Sequence, residues 1–557
     1  MKKLSVLLLF LSLNLLSGVN LKNGNYFISY TDIVTTSKGK TIDMTRTYNS
    51  KSTSVGWFGY GWGTPFETRL EASLDGSVYI IENGTGGKSR FTDSITGSSN
   101  VNVRKISSNI VKELKKKTPL SQKSENELVK KLNDDDIFRH KMAQKLGIKA
   151  PMKAGRILKS FDYGYQKLAV VPKGYKRAFD SGMVQFFNVN GDLIASKDKS
   201  GYSLKFKRNK VTRKVEKIFD NLGNSFTISW SSDGFISSVA AKGSAKATYK
   251  YDGNKNLIAS KDINGSTFTY SYDGAHNLTG ITDKNIKNKK NATIKIAYEP
   301  KTFFAKRVEK RNGDIVEYKY GSKDKKYLHY WTEVDKRGIS GQPYVNKYEY
   351  EHKLRADGSQ WLYRTKFITG ADRKGSKLVG GITRETFNNA VELPKKIIQG
   401  DRITDFKYSK GLMVSKKSND GTFSNLEYDS KTKRVSRVTN NDGWIKYTYN
   451  KKGELSKAID SKGNAIALIY DLKGKISKMV NKAKNSKRQI VSFTYNAQGK
   501  PNVIGMDGVG NIKVQYDAYG QVKNVDSKGG REIASKVTGA FQNLLSIVKP
   551  AGVNLNL

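Results

Sequence analysis
The chain has 557 residues, with 99 lysines and arginines against 50 aspartates and glutamates, a formal net charge of +49. Hydrophobic residues are 37%, enough for a buried core, and 51 glycines against 9 prolines exclude both collagen and a proline-rich disordered chain. Zero cysteines exclude disulfides, thiolate metal sites and cysteine nucleophiles, and four scattered histidines make a poor metal cluster. Residues 1–20 read as an export signal. Met1, Lys2 and Lys3 are basic, Leu4 to Leu16 is apolar, and Ser17 and Gly18 are small residues suited to cleavage. The apolar run falls short of the roughly 20 residues that cross a bilayer. The expected location is therefore the periplasm, the cell surface or the medium, with no transmembrane segment in the mature chain.

A β-rich N-terminal domain is expected over 21–103. Residues 104–178 break that pattern as a mostly helical insertion and return. Ser124 to Glu127 forms a capping box ahead of Leu128, Val129 and Leu132, and Asp134 to Asp136 starts a further helix that ends near Gly147. From 179 to 529 aromatic marks recur. Trp230, Tyr251 and Tyr272 are 21 apart, as are Tyr428, Tyr449 and Tyr470, and Tyr516 follows Tyr495 by the same step. Turns recur with them: Asp198 to Gly201, Asp220 to Gly223, Asp262 to Gly265 and Asp460 to Gly463. Aspartate at the first position bonds the backbone two residues on, and glycine at the fourth tolerates positive φ. Between turns, Phe268-Thr-Tyr270-Ser-Tyr272 and Ile445-Lys-Tyr447-Thr-Tyr449 alternate with the period of half-buried strands. The spacing predicts tandem hairpins whose tyrosines stand opposite one another as aromatic cross-strand pairs. Residues 530–557 carry a helical stripe from Ile533 to Val548 and read as an amphipathic cap, or as a docking helix.

The chain resembles the Rhs/YD-repeat family. Tyr470-Asp471-Leu-Lys-Gly474 and Tyr516-Asp517-Ala-Tyr-Gly520 are its closest copies of that family's Tyr-Asp-x-x-Gly repeat, with Tyr449 a further repeat mark. Arg46-Thr-Tyr48-Asn49-Ser50, the run Gly56 to Trp62 and Arg90-Phe91 look like the family's N-terminal domain. The resemblance implies a continuous antiparallel β-hairpin strip that curls into an open or closed spiral shell, with the helical insertion and C-terminal helix appended. In larger relatives the shell encloses a C-terminal toxin behind an autoproteolytic segment. This chain contains no Asp-Pro pair, so no autoprotease or toxin assignment carries over.

A search for catalytic groupings finds none, and no cofactor or metal is expected. The turn aspartates have a structural task, and His140, His276, His329 and His352 read as solvated or packed. Trp57, Phe58, Tyr60 and Trp62 are the candidate sugar-stacking surface, with a structural plug as the alternative. The basic charge is diffuse, densest at Lys115 to Lys117 and Lys287 to Lys290, and otherwise set on the strands' outer faces. The expectation is an exported, non-enzymatic Rhs-like scaffold at the cell surface that binds an anionic glycan or a partner protein, with no specific nucleic acid. The alternative is a container that holds a separately encoded cargo of a contact-dependent toxin system.

Overall fold
The computed structural model describes residues 17–528 apart from 38–39, 74–75, 85, 93–102, 117, 149–151, 161–165, 180–181, 199–200, 242–245, 288–291, 339–342, 356–359, 431–433, 452, 472–474, 483, 497–500 and 517–521. Residues 1–16, the body of the expected export signal, and the expected helix in 530–557 lie outside the described residues. Ser17–Asn20, assigned to the same signal, form a strand. The chain divides into two compact units. The first holds Tyr26–Thr35 and Thr41–His276, and the second holds Val19–Asn25, Thr36–Lys40 and the chain from Asn277 on.

From Ile157 to Lys528, antiparallel strands follow one another in chain order through a sheet of 34. Twelve of its strands, Ile157–Ser160 to Thr267–Tyr272, belong to the first unit, and twenty-two, from Leu278–Asp283 on, to the second. The alternation in the sequence sets the faces. Ser225–Trp230 buries Phe226 and Ile228 and exposes Thr227 and Ser229, and Lys246–Tyr251 buries Ala247 and Tyr249. In the second unit Leu426, Val438, Leu455, Ile466, Met479 and Val491 share one buried cluster.

The turns are three-residue hairpin loops. The Asp220, Asp262 and Asp460 backbone N–H each bond the carbonyl four residues on at 3.0 Å. Gly223, Gly265 and Gly463 take φ of 104°, 87° and 85°, conformations that glycine adopts without strain. The turn carboxylates are spent locally. Asp220 Oδ1 accepts from the Leu222 and Asn224 N–H at 2.9 Å, and its Oδ2 accepts from Asn224 Nδ2 at 2.7 Å. Asp460 repeats the arrangement with Lys462 and Asn464.

The recurring aromatics are tied differently from the sequence expectation. Tyr251, Tyr272, Tyr449 and Tyr470 donate their hydroxyls to the carbonyls of Ile236, Leu257, Val435 and Leu455, each fourteen or fifteen residues upstream, at 2.7–2.8 Å. Trp230 Nε1 makes the equivalent bond to the Val215 carbonyl at 2.8 Å. A β-bulge stands immediately before Tyr251, Tyr449, Tyr470 and Tyr516, and before Trp230. The extra residue lies on the strand that follows, such as Ile258 opposite Lys250 and Tyr251. These marks therefore tie their strands through a hydroxyl–carbonyl bond, while opposed aromatic pairs occur elsewhere in the sheet, as between Tyr330 and Tyr350.

The helical segment lies in the first unit: α1 Val103–Lys115, α2 Gln122–Asp134 and α3 Asp136–Lys145. Ile110, Val111, Leu132 and Ala143 form its own small core. The capping residue of α2 is Ser121, whose Oγ accepts from Ser124 N–H at 3.3 Å, so the helix begins a turn before the expected box. Asp135 caps α3 by accepting from Phe138 N–H at 2.8 Å.

Replacing Tyr470 by Phe keeps the ring and deletes one inter-hairpin bond, leaving the Leu455 carbonyl without its donor. The expected loss is roughly 1 kcal/mol by urea titration. The same change at Tyr327, which is 67% exposed, should be within about 0.5 kcal/mol of neutral.

Candidate functional site
In the first unit the N-terminal segment is laid onto the repeat strands. The glycine-rich run that follows Val55 makes backbone bonds to them: Tyr60 N–H to the Lys255 carbonyl and Ile236 N–H to the Trp57 carbonyl, both at 2.9 Å. A side chain at Gly59 would come within 2.5 Å of the Lys255 oxygen, and Gly59 has φ of 88°, so only glycine fits the approach.

The four candidate sugar-stacking aromatics do not share a face. Phe58 and Trp62 are fully buried, so neither ring can meet a ligand. Phe58 packs edge-on against Tyr249 at 4.9 Å, and Trp62 Nε1 donates to the Tyr272 hydroxyl at 2.9 Å. Trp57 and Tyr60 are half-buried, Trp57 edge-on to Trp230 at 5.5 Å and Tyr60 stacked on His276 at 4.0 Å. The plug alternative describes these contacts better than a platform does.

Beneath the plug sits a buried charge pair. Arg46 Nε donates to Asp32 Oδ2 at 2.6 Å, and Nη2 donates to Asp32 Oδ1, to Ser260 Oγ and to the Tyr270 hydroxyl. Tyr249 adds a hydroxyl bond to Asp32 Oδ2 at 3.0 Å. The guanidinium also lies 4.6 Å from the Trp62 ring centre and 5.0 Å from that of Tyr30. Tyr48 reaches the His276 carbonyl at 3.1 Å, Asn49 Oδ1 accepts from Lys51 N–H, and Ser50 Oγ accepts from Tyr26 N–H. Tyr449 and Tyr470 hold their ladder bonds, and Asp471 Oδ1 accepts from Lys475 N–H at 2.9 Å. Gly474, Asp517, Gly520 and the Tyr516 side chain lie outside the described residues. Among the histidines, the His352 ring stacks on Tyr330 at 5.5 Å, and His329 Nε2 lies 3.6 Å from Glu349 Oε2.

Glu67 is a second buried group. Its Oε1 accepts from Trp57 N–H at 2.6 Å and its Oε2 from Thr64 N–H at 3.0 Å. Burial pushes its carboxyl up to about 8, against those two donors and the Arg69 charge, which favour the ionised form.

The remaining feature of the unit is electrostatic. Lys167, Lys176, Lys197, Lys205, Lys207, Lys217, Lys246, Lys250 and Lys261 are all exposed on one face of the strand run. Their cross-strand neighbours include Ala169, Phe186, Ala195, Thr227 and Ala259, and none is a carboxylate. Lys159 stands opposite Lys167, and Lys207 opposite Lys217. Like charges directly across an antiparallel pair are destabilising. The second unit handles charge differently. Glu333, for example, pairs with both Lys347 and Arg373, and Glu385 with both Arg364 and Lys366. The sequence signals lysine alternation on strands, but only the register tells paired lysines from unpaired ones.

Residues 17–90 match a family model described as a domain of unknown function, DUF6531, and residues 251–285 match the RHS repeat. The comparison with curated protein sequences returns no match. Solved structures with similarity include the Photorhabdus luminescens Tc holotoxin pore, at 9% identity and a TM-score of 0.35, over 91% of this chain and 30% of that one. A TcdB2-TccC3-Cdc42 structure follows at 10% identity and 0.36, over 90% and 31%. A porin-like protein from Bacteroides uniformis matches at 10% identity and 0.16, over 47% and 91%. The chain spans about a third of the length of the first two.

Two outcomes follow for the buried groups. Arg46→Ala leaves the Asp32 carboxylate buried without its partner and should cost about 3–5 kcal/mol in denaturant unfolding. For Glu67 the folded value lies above the unfolded one, so its stabilising share is whole below about pH 4.5 and is lost as pH rises through about 8. The melting temperature of the native chain should fall relative to that of Glu67→Gln across this window and then run parallel to it. The full gap is on the order of 5 kcal/mol.

Proposed function
We propose, for a chain whose residues 251–285 match the RHS repeat, that its strand run serves as an exported, non-enzymatic Rhs-like scaffold whose lysine face binds anionic glycan of a cell envelope. The observation that carries this reading is the unpaired lysine face of the first unit, above all the opposed pairs Lys159–Lys167 and Lys207–Lys217. A sheet that keeps like charges face to face carries a folding cost which a polyanion laid across the strands would relieve. The exposed lysines recur on strand after strand from Lys167 to Lys261, a spread that suits a repeating polymer better than a compact ligand. The buried ionisable groups described above are tied into packing, which supports a scaffold over a hydrolase.

A second reading, a container that holds a separately encoded protein, has its own support. Between Ala371 and Leu426 of the second unit no described hydrophobic side chain is fully buried, and Ile397, Phe406 and Tyr408, which share one face, are left half-covered. Half-covered apolar residues on adjoining strands suit a protein partner. Co-purification of a protease-protected second polypeptide would favour this reading.

The leading reading is tested by titrating the protein onto polygalacturonate and neutral dextran by biolayer interferometry at several salt concentrations. Binding to the acidic polymer alone is expected, with affinity falling steeply as salt rises. Replacing Lys207 and Lys217 by Thr should weaken binding and shallow the salt slope by about 1–2. The same change should stabilise the fold by roughly 0.2–1 kcal/mol. Equal binding of both polymers, or an unchanged slope in the variant, would overturn the assignment.

A further inference from the structure
The second unit contains a cleft of about 920 Å³, near the upper end of the range in which small-molecule sites fall. It opens between the loop Glu299 to Phe304 and the loop that follows the strand Ile315–Ser322, with Lys22 at one side. We propose that this cleft binds a short acidic oligosaccharide, with a uronic acid ring stacked on Tyr327 and its carboxylates met by Lys301 and Lys319. The proposal rests on the glycan reading above and gives it a defined site.

Four observations support it. First, the apolar part of the lining is aromatic: Phe304, Tyr318, Tyr320, Tyr330 and Trp331 contribute, and apart from Pro300 no aliphatic side chain does. A groove for an apolar peptide would offer aliphatic pockets, whereas flat rings suit the C–H faces of a pyranose. Second, the cations are free. Among the described residues exposed Lys301 and Lys319 form no ion pair, although Glu299 also lines the cleft; Glu333, directly across the strand pair from Lys319, is engaged by Lys347 and Arg373. Nearby Lys323 and Lys347, by contrast, pair with Glu349 at 3.1 and 3.6 Å. Third, the walls are built. Phe304 and Tyr320 pack edge to face at 5.0 Å, and the Tyr320 hydroxyl is fixed on the Ala305 carbonyl at 2.6 Å. A side chain at Gly321 would meet the Trp331 ring at 2.5 Å, so glycine there lets the indole lie against the strand.

The fourth observation concerns Tyr327 itself. It is a large side chain 67% in solvent and holds a left-handed backbone with φ of 55°, a costly conformation for a non-glycine residue. Its loop is rigidly set, because the Asp324 carboxylate accepts from the Lys326, Leu328 and His329 N–H groups. A ring held at the mouth of a cleft at conformational cost is placed to receive something flat.

The test is calorimetric titration of the full chain with hexagalacturonate and with maltohexaose at 150 mM NaCl. The native protein should bind one acidic hexamer and no neutral one. Tyr327→Gly, which suits the left-handed backbone and so keeps the loop, should weaken binding about tenfold, as should Lys301→Ala with Lys319→Ala. The Lys207→Thr, Lys217→Thr variant serves as the control and should bind the hexamer unchanged. Hexamer binding that survives both cleft changes overturns the cleft and leaves the glycan reading intact. Polymer binding without hexamer binding does the same. Loss of both in the native protein overturns the two together.

Discussion
The bond from a tyrosine hydroxyl to a carbonyl upstream, made beside a shift in strand register, is the interaction on which the strand run depends. A two-stranded hairpin is marginal in water because it buries one face poorly and leaves both edges open. Each hairpin here supplies its neighbour with a ladder edge and an apolar face and, from Trp230 to Tyr320 and again from Tyr408 to Tyr495, a ring donor for an upstream carbonyl. Tyr251, Tyr449 and Tyr470 repeat the device with nearly constant length. That constancy explains how a chain without disulfides can hold a long run of short strands. It also explains the spacing of the marks, since a bulge, a strand pair and two turns must all fit between one donor and the next.

The first unit adds a different constraint. Arg46 is fully buried, and its charge is tolerable only because Asp32 and two hydroxyls converge on it and aromatic rings surround it. Those groups come from the N-terminal strands and from the strands Lys246–Tyr251, Leu257–Lys261 and Thr267–Tyr272. The pair therefore specifies where the N-terminal segment sits on the repeats. Each of its members would be costly to leave alone, so the segment and the strands beneath it act as one folding unit.

Much of this was legible in the sequence and some was not. Strand alternation, turn positions and repeat period came directly from Tyr, Asp and Gly spacing, because side-chain period and turn chemistry are local. The resemblance carried by Arg46-Thr-Tyr48-Asn49-Ser50 placed an N-terminal domain ahead of the repeats, but not what Arg46 touches. Its partners Ser260 and Tyr270 are more than two hundred residues away. The tyrosines were assigned to ring pairs because period alone does not reveal a bulge, which leaves no residue type behind. Trp57, Phe58, Tyr60 and Trp62 read as a platform or a plug, because clustered aromatics look alike whether buried or exposed. The cleft around Tyr327 gave no signal, since its residues come from Lys22, two loops and two strands with no motif among them.

The order of the strands has a mechanical consequence. Because neighbours in the sheet are neighbours along the chain, tension applied to a free end would peel strands away in sequence instead of shearing many pairs at once. Each released repeat of about 21 residues would lengthen the tether by roughly 70 Å, at modest force, while the remainder kept its pairing. A protein stretched between two moving surfaces would then yield in steps and rewind from the portion still folded.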